Sequence, residues 1–332
     1  MSRKYSLLTV GNAIIDILVK VEEKFIGDNG LDKSAMKLVD AQETAELYAK
    51  VDEATERSGG SAANTAVGYG VLGGKAAYIG TIAKDQFGTI FSHDMKAAKV
   101  AYNPIYVEGK PTSQSIILVT PDGERTMNTY LGASLDLSPE HIDKEIILQS
   151  DVIYFEGYLW YQPPARLAFD HIVKLIKGTD IKIAVSLADQ FCVDAFRDDF
   201  KNLIANGTID IIFGNEDEIK ALYEVSDFET AMQENAKTNV LSFITRGAKG
   251  AVAQLGNISE TVSVDPVSNI VDLTGAGDIF ASGALCGLER GLDLSKSAML
   301  GCIAAREVIQ HMGPHPTVDL IKLVEQANLF DK

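Results

Sequence analysis

The chain has 332 residues, of which 46% are apolar, and a formal net charge of −16. That is ample material for a large core, and no apolar run reaches the length of a membrane span. So acidic a balance argues against nucleic acid or an anionic membrane as the main partner, because both reward basic surfaces.

The N-terminus, MSRKYSLLTVGNAIIDI, is basic and then apolar. Asn12 and Asp16 interrupt the apolar part and no small-residue cleavage site follows, so it reads as a first strand rather than a signal peptide. Further strands are predicted at AAYIG (76–80), DVIYF (151–155), IKIAVS (181–186), DIIF (210–213) and LSFIT (241–245). Between them, helical patterns begin near Ser61, run over 87–98, follow Ser138-Pro139, and cover 164–177, 192–206 and 216–225. This alternation predicts an α/β fold with a mostly parallel sheet covered by helices on both faces. Two zones, 14–40 and roughly 102–132, break the rhythm: they look strand-rich but lack intervening helices. SQSIILVT (113–120), PDGE and RTMNTYL (125–131) read as a hairpin turning at Pro121-Asp122-Gly123. The two zones are expected to form a small β lid, 14–40 with 102–132, over a large domain of 1–13, 41–101 and 133–332. The last third is helical, at 278–290, 295–311 and 317–328, with Ser295 as an N-cap and Gly291 ending the helix before it. Cys192, Cys286 and Cys302 have no C-x-x-C spacing, which points to reduced thiols and a cytoplasmic protein.

The stretch DLTGAGD (272–278) carries the chemistry. A strand, NIVDL, is expected to run into TGAG, with a helix following. The first turn of a helix exposes unpartnered N–H groups and adds positive potential, and glycines let a phosphate approach them. No G-x4-G-K-[ST] occurs, so this is not a Walker A loop. Asp278 beside such a cradle suits a base that takes the proton of an attacking hydroxyl. Its bland alternative is an acid favoured at a helix start.

DLTGAGD resembles the C-terminal signature of the PfkB, or ribokinase-like, family of sugar and nucleoside kinases. SGGSAANTAVGYGVLGGKAAYIGTIAKDQFG (58–88) resembles the family's N-terminal signature, and the likeness extends from GNAIID (11–16) to GPHPT (313–317). The resemblance implies a ribokinase-like three-layer α/β/α domain with a small β-sheet lid, and an enzyme that uses ATP and Mg²⁺ to phosphorylate an alcohol group. It makes Asp278 the base and Gly275, Ala276 and Gly277 the anion hole. Asn215 and Glu218 match an N-x-x-E motif of the magnesium–phosphate network; a helix cap is the structural alternative there. Thr245, Gly247 and Thr274 fall on the nucleotide side, while Arg246 and Lys249 are equally explained as surface charges. Asp272 matches an acid that in some members helps hold a monovalent cation, for which K⁺ is the candidate. Leu273 departs from the common Thr and removes a hydroxyl without altering the backbone cradle. On the acceptor side stand Asp16, Gly59, Gly60, Asn64, Met127 with Asn128, and Glu156, for which a rim salt bridge is the alternative. Arg125 is expected either to reach phosphate or to stabilise the lid.

The opening through SAM (34–36) and the EGYL stretch are similar to adenosine-kinase-type members. This favours a nucleoside acceptor, with a sugar such as ribose or fructose as the alternative. Phe155, Tyr158, Trp160 and Phe191 are available to stack on a base or to fill the core. The partner is thus a small molecule, and the chain a monomer or a homodimer through the lid. A literal G-x-G-x-x-G at 68–73 suggests a dinucleotide oxidoreductase, but it follows a helical pattern and precedes a strand, the reverse of that fingerprint. The histidines lack zinc-ligand spacing, and the retained Asp278 argues against a non-catalytic sensor.

Overall fold

The computed structural model describes residues 3–327 and 329. Strand side chains alternate between faces, and here both faces are apolar. Leu7 enters one core while Leu8 and Val10 enter another, and Tyr154 and Ala184 oppose their neighbours in the same way. Helices Ser61–Val71, Ala276–Glu289 and Leu294–Val308 cover the first face. Pro163–Ile176, Gln190–Ala205, Glu216–Tyr223 and Phe228–Ala236 cover the second. This is the expected three-layer α/β/α arrangement.

The central sheet has nine strands. From one edge they are Ile258–Val262, Ala251–Leu255, Leu241–Thr245, Ile211–Asn215, Lys182–Ser186, Ser150–Glu156, Tyr5–Val10, Ala76–Ile79 and Ala101–Tyr102. Pairing is parallel except for the Ala251–Val262 hairpin, whose strands the sequence reading did not predict. Gly68 and Gly70 lie inside helix Ser61–Val71, so the G-x-G-x-x-G pattern has no strand-to-helix turn.

A separate five-stranded sheet orders Met36–Leu38, Arg125–Tyr130, Ser113–Val119, Ile14–Lys20 and Thr55–Gly59. Its hairpin pairs Arg125 with Val119, as the turn at 121–124 requires. Ile15, Ile17, Ile116 and Leu118 point to its outer face and pack in one cluster with Ile26 and Leu47. Those two belong to helices Glu23–Asp28 and Ala41–Tyr48, so the chain covers this face itself. Asp16, Ile117 and Met127 face inward.

Several expectations need correction. The 14–40 zone does contain a helix, Glu23–Asp28. Thr55–Gly59, within the range assigned to the large domain, is an edge strand of the small sheet; TERSG has no apolar alternation to betray it. After Ser138-Pro139 comes only a 3-10 turn, and helix Lys144–Leu148 is capped instead by Asp143. Residues 269–273 form no strand. That segment is tied to a helix end, through Val271 N–H donating to the Ile309 carbonyl at 2.8 Å. Asp293, not Ser295, caps helix Leu294–Val308, because its carboxylate accepts from Lys296 N–H. The last helix is Leu320–Gln326, and its expected end, Asn328, lies outside the described residues. Asn128 alternates away from Met127 onto the covered face and is 2% exposed.

Candidate active site

The strand ends, the lid and the start of helix Ala276–Glu289 enclose a cavity of about 1120 Å³. The helix opens at Gly275, whose φ of +74° is left-handed and whose missing Cβ would lie 2.5 Å from the Pro314 Cβ. Glycine alone fits there. No side chain caps this end, so the first-turn amides of Gly277 and Asp278 lie beside the cavity; Ala276 N–H makes a long bond to the Leu273 carbonyl at 3.3 Å.

The Asp278 carboxylate is fixed at both oxygens. Ser61 Oγ donates at 2.6 Å and Asn64 Nδ2 at 3.0 Å. Ser61 and Asn64 are three residues apart on the first turn of helix Ser61–Val71, hence on one face. Burial pushes the Asp278 carboxyl up to about 6 against the pull of these two bonds. Asn64 Oδ1 is buried with no partner and belongs to the cavity lining. Ser61 escaped the sequence reading, although its place three residues before Asn64 at a helix start was a usable signal.

Across the cavity, Asp16 sits on the lid strand Ile14–Lys20 and is 5% exposed. Burial, then the charges of Asp278 and Asp272, push it up to about 7. Gly59 does not line the cavity. It leaves room for Asp16, whose Oδ2 would stand 2.2 Å from a Cβ at that position. Gly60 does line it, at φ +92°.

Glu156 is 1% exposed and is no rim ion pair. Its Oε1 accepts from Asn12 N–H at 2.9 Å and Asn12 Nδ2 at 2.6 Å, and its Oε2 accepts from Ala62 N–H at 2.8 Å. Gln162 Nε2 donates to Asn12 Oδ1 in turn. The carboxylate thus braces the helix turn that carries Ser61 and Asn64 against two strand ends. Burial, opposed by the Ala62 and Asn12 bonds, pushes it up to about 7.

Asn215 and Glu218 form a capping box at the start of helix Glu216–Tyr223, and both still face the cavity. Glu218 is 5% exposed, and burial pushes it up to about 7. The set suits a hard cation held through water. Among the described residues, no group of three or more His, Cys, Asp or Glu side chains could hold a metal ion directly.

On the nucleotide side, Thr245 and Thr274 line the cavity and Gly247 does not. Arg246 pairs with Glu216 at 2.9 Å and covers the Phe228 ring at 3.8 Å, and Lys249 approaches Glu216 at 3.7 Å, so both have structural partners. Asp272 is 2% exposed and pairs with Arg125 of the lid at 3.1 Å. Of the four aromatic candidates, Phe155 and Trp160 belong to the core, whereas Tyr158 and Phe191 line the cavity. Tyr161 and Asp189, neither singled out by sequence, line it too. The three cysteines are free and buried.

A buried carboxylate held by two donors thus stands beside bare helix-start amides on the wall of one cavity. A sequence profile described as "pfkB family carbohydrate kinase" matches residues 31–319, and the chain belongs to that family. It is a phosphotransferase acting on a hydroxyl group. A solved structure of a probable sugar kinase from Rhizobium etli superposes with a TM-score of 0.92 at 42% identity, covering 98% of this chain and 99% of that one. The adenosine kinase from Sinorhizobium meliloti gives 0.90, also at 42% identity and with the same coverage. The adenosine kinase of Saccharomyces cerevisiae is 28% identical over 93% of this chain and 96% of its own. No helix among the described residues is long and apolar enough to cross a membrane.

Proposed function

We propose that the chain transfers the γ-phosphate of ATP to a hydroxyl of an adenosine-like nucleoside. The observation that carries this reading is the contrast between the cavity's carboxylate floor and its apolar mouth. Met36, Leu38, Tyr161, Phe191 and Leu273 are each about half exposed or more, and all line this one cavity. A simple sugar leaves such a mouth in water. A purine between Tyr158 and Phe191 covers it, since aromatic faces stack on bases.

Asp16 accepts from two neighbouring hydroxyls of the ribose, a bonding pattern open to one carboxylate. Asp278 takes the proton as the acceptor oxygen bonds to phosphorus and the bond from the γ-phosphorus to the bridging oxygen breaks, leaving ADP. Ser61 and Asn64 hold the base in place, and the first-turn amides of helix Ala276–Glu289 meet the charge on the transferring group. Asn215 and Glu218 would hold the water shell of the magnesium that this family generally uses with ATP, and when bound that ion would supply further neutralisation. The lid keeps out water, a competing acceptor.

A panel of nucleosides and sugars, scored by ADP release, tests the acceptor. Robust phosphorylation of ribose or fructose with none of adenosine overturns the nucleoside and leaves a sugar kinase. Asp278→Asn is expected to lose turnover by about 10²–10⁴-fold with ATP binding largely kept. Near wild-type turnover would remove Asp278 from its role.

A further inference from the structure

The family likeness raised a monovalent cation at Asp272, and the surroundings of that carboxylate do not fit one. Oδ1 accepts from the Thr274 amide at 2.9 Å and its hydroxyl at 2.7 Å, and the Arg125 guanidinium lies 3.1 Å away. Oδ2 accepts from Gly313 N–H at 2.9 Å. A carboxylate has about four lone-pair sites, and three hydrogen-bond donors together with the Arg125 charge already meet this one. Thr274 and Gly313 present hydrogens to its oxygens, and the guanidinium charge beside Oδ1 would repel a metal ion. The positive charge is already present as well, because Arg125 Nη1 donates to Thr274 Oγ1 in addition to pairing with Asp272. Arg125 begins the lid strand Arg125–Tyr130, whereas Asp272 and Thr274 lie on the loop that ends in the Gly275 turn.

We infer that Arg125 takes the place of a monovalent cation at Asp272, so that the lid itself, and not a bound ion, holds the anion-hole loop in shape. Arg125 is a positioning residue: it acts through Asp272 and Thr274 on the amides at the start of helix Ala276–Glu289. The coupling runs in both directions. Lid closure sets the loop, and a set loop favours closure. This inference builds on the kinase reading of the site, but it does not need the acceptor to be a nucleoside.

Two measurements test it. The first uses ligand-free protein and follows amide hydrogen exchange in a peptide spanning 271–277, in a buffer whose only monovalent cation is tetramethylammonium, with and without potassium. The wild type is expected not to respond to potassium. Arg125→Met is expected to exchange about ten- to a hundredfold faster, the equivalent of one charge-assisted hydrogen bond, and to slow again when potassium is added. The second is ADP release with whichever acceptor the panel identifies. Wild-type kcat is expected to change by less than about twofold with potassium, while Arg125→Met falls and is partly restored by potassium or guanidinium ion, and Arg125→Lys retains an intermediate rate. Potassium slowing loop exchange in the wild type, potassium raising wild-type kcat severalfold, or an Arg125→Met protein matching wild type in both measurements would each overturn the inference. The exchange arm stands whether or not adenosine is the substrate, so failure of the nucleoside reading shows in the panel alone.

Discussion

Replacing Ser61 by Ala removes the donor at 2.6 Å from Asp278 Oδ1 and leaves Asn64 as the other support. A hydrogen bond to a charged group is worth roughly 1.5–3 kcal/mol, with water entering the vacated space setting the lower end. At about 1.36 kcal/mol per pKa unit, losing it lifts the Asp278 carboxyl by about one to two units. From a starting point of about 6, the variant's base then titrates near 7 to 8. At about pH 7 the wild-type base is roughly nine-tenths ionised and the variant's half to a tenth, so kcat/KM falls about two- to tenfold there and recovers by about pH 9. The assay is ADP release at low acceptor concentration across pH, because kcat/KM reports groups of the free enzyme. Ionisations of ATP or acceptor are common to both proteins and drop out of the difference. An acid limb that stays in place in Ser61→Ala, or a loss equal at all pH values, would refute the assignment of that limb to Asp278.

Glu156→Gln turns an amide –NH₂ toward either the Ala62 donor or the two Asn12 donors, so at least one buried N–H loses its acceptor. Urea unfolding is expected to show a loss of about 1–3 kcal/mol, and an unchanged midpoint would count against the brace. Asp16, Glu156, Glu218 and Asp278 all have folded pKa values above their unfolded ones, at about 6 to 7. The stability they permit is therefore fullest below the unfolded values and is lost as pH rises through the folded ones. His315, pushed down from 6.5 to about 4 by burial, opposes this as pH falls through its ordinary value, so at about pH 6 it offsets part of what the four carboxyls gain. The ligand-free protein should accordingly melt higher at about pH 6 than at about pH 8 in scanning calorimetry, and equal or reversed midpoints would contradict the buried, ion-poor picture of the site. Because helices Glu23–Asp28 and Ala41–Tyr48 already cover the outer face of the lid, light scattering is expected to give the monomer mass of 35.8 kDa; a dimer broken by lid substitutions would show that another surface is in play.

Much of the site could be read from local pattern. Glycine at a turn that must adopt φ +74°, an acid just after it and Asn215 three residues before Glu218 are short-range facts, and a linear sequence carries them. Where local pattern misled, a longer-range contact had intervened. NIVDL looks like a strand, but its amides bond to the end of helix Leu294–Val308. TERSG looks like a polar loop, but Ile14–Lys20 pairs with it.

Sequence alone determined the alternation of strands and helices, the doubly buried sheet, the hairpin of the small sheet and the glycine-led, uncapped helix start, because each depends on periodicity or on the conformational limits of a few adjacent residues. Tertiary structure decided that Ser61 and Asn64 grip Asp278 from 217 and 214 residues away, that Glu156 is a brace, and that a lid arginine neutralises Asp272. Those pairings are made by elements brought together only when the whole sheet closes, and no periodicity in the chain encodes which distant side chain will face a given carboxylate.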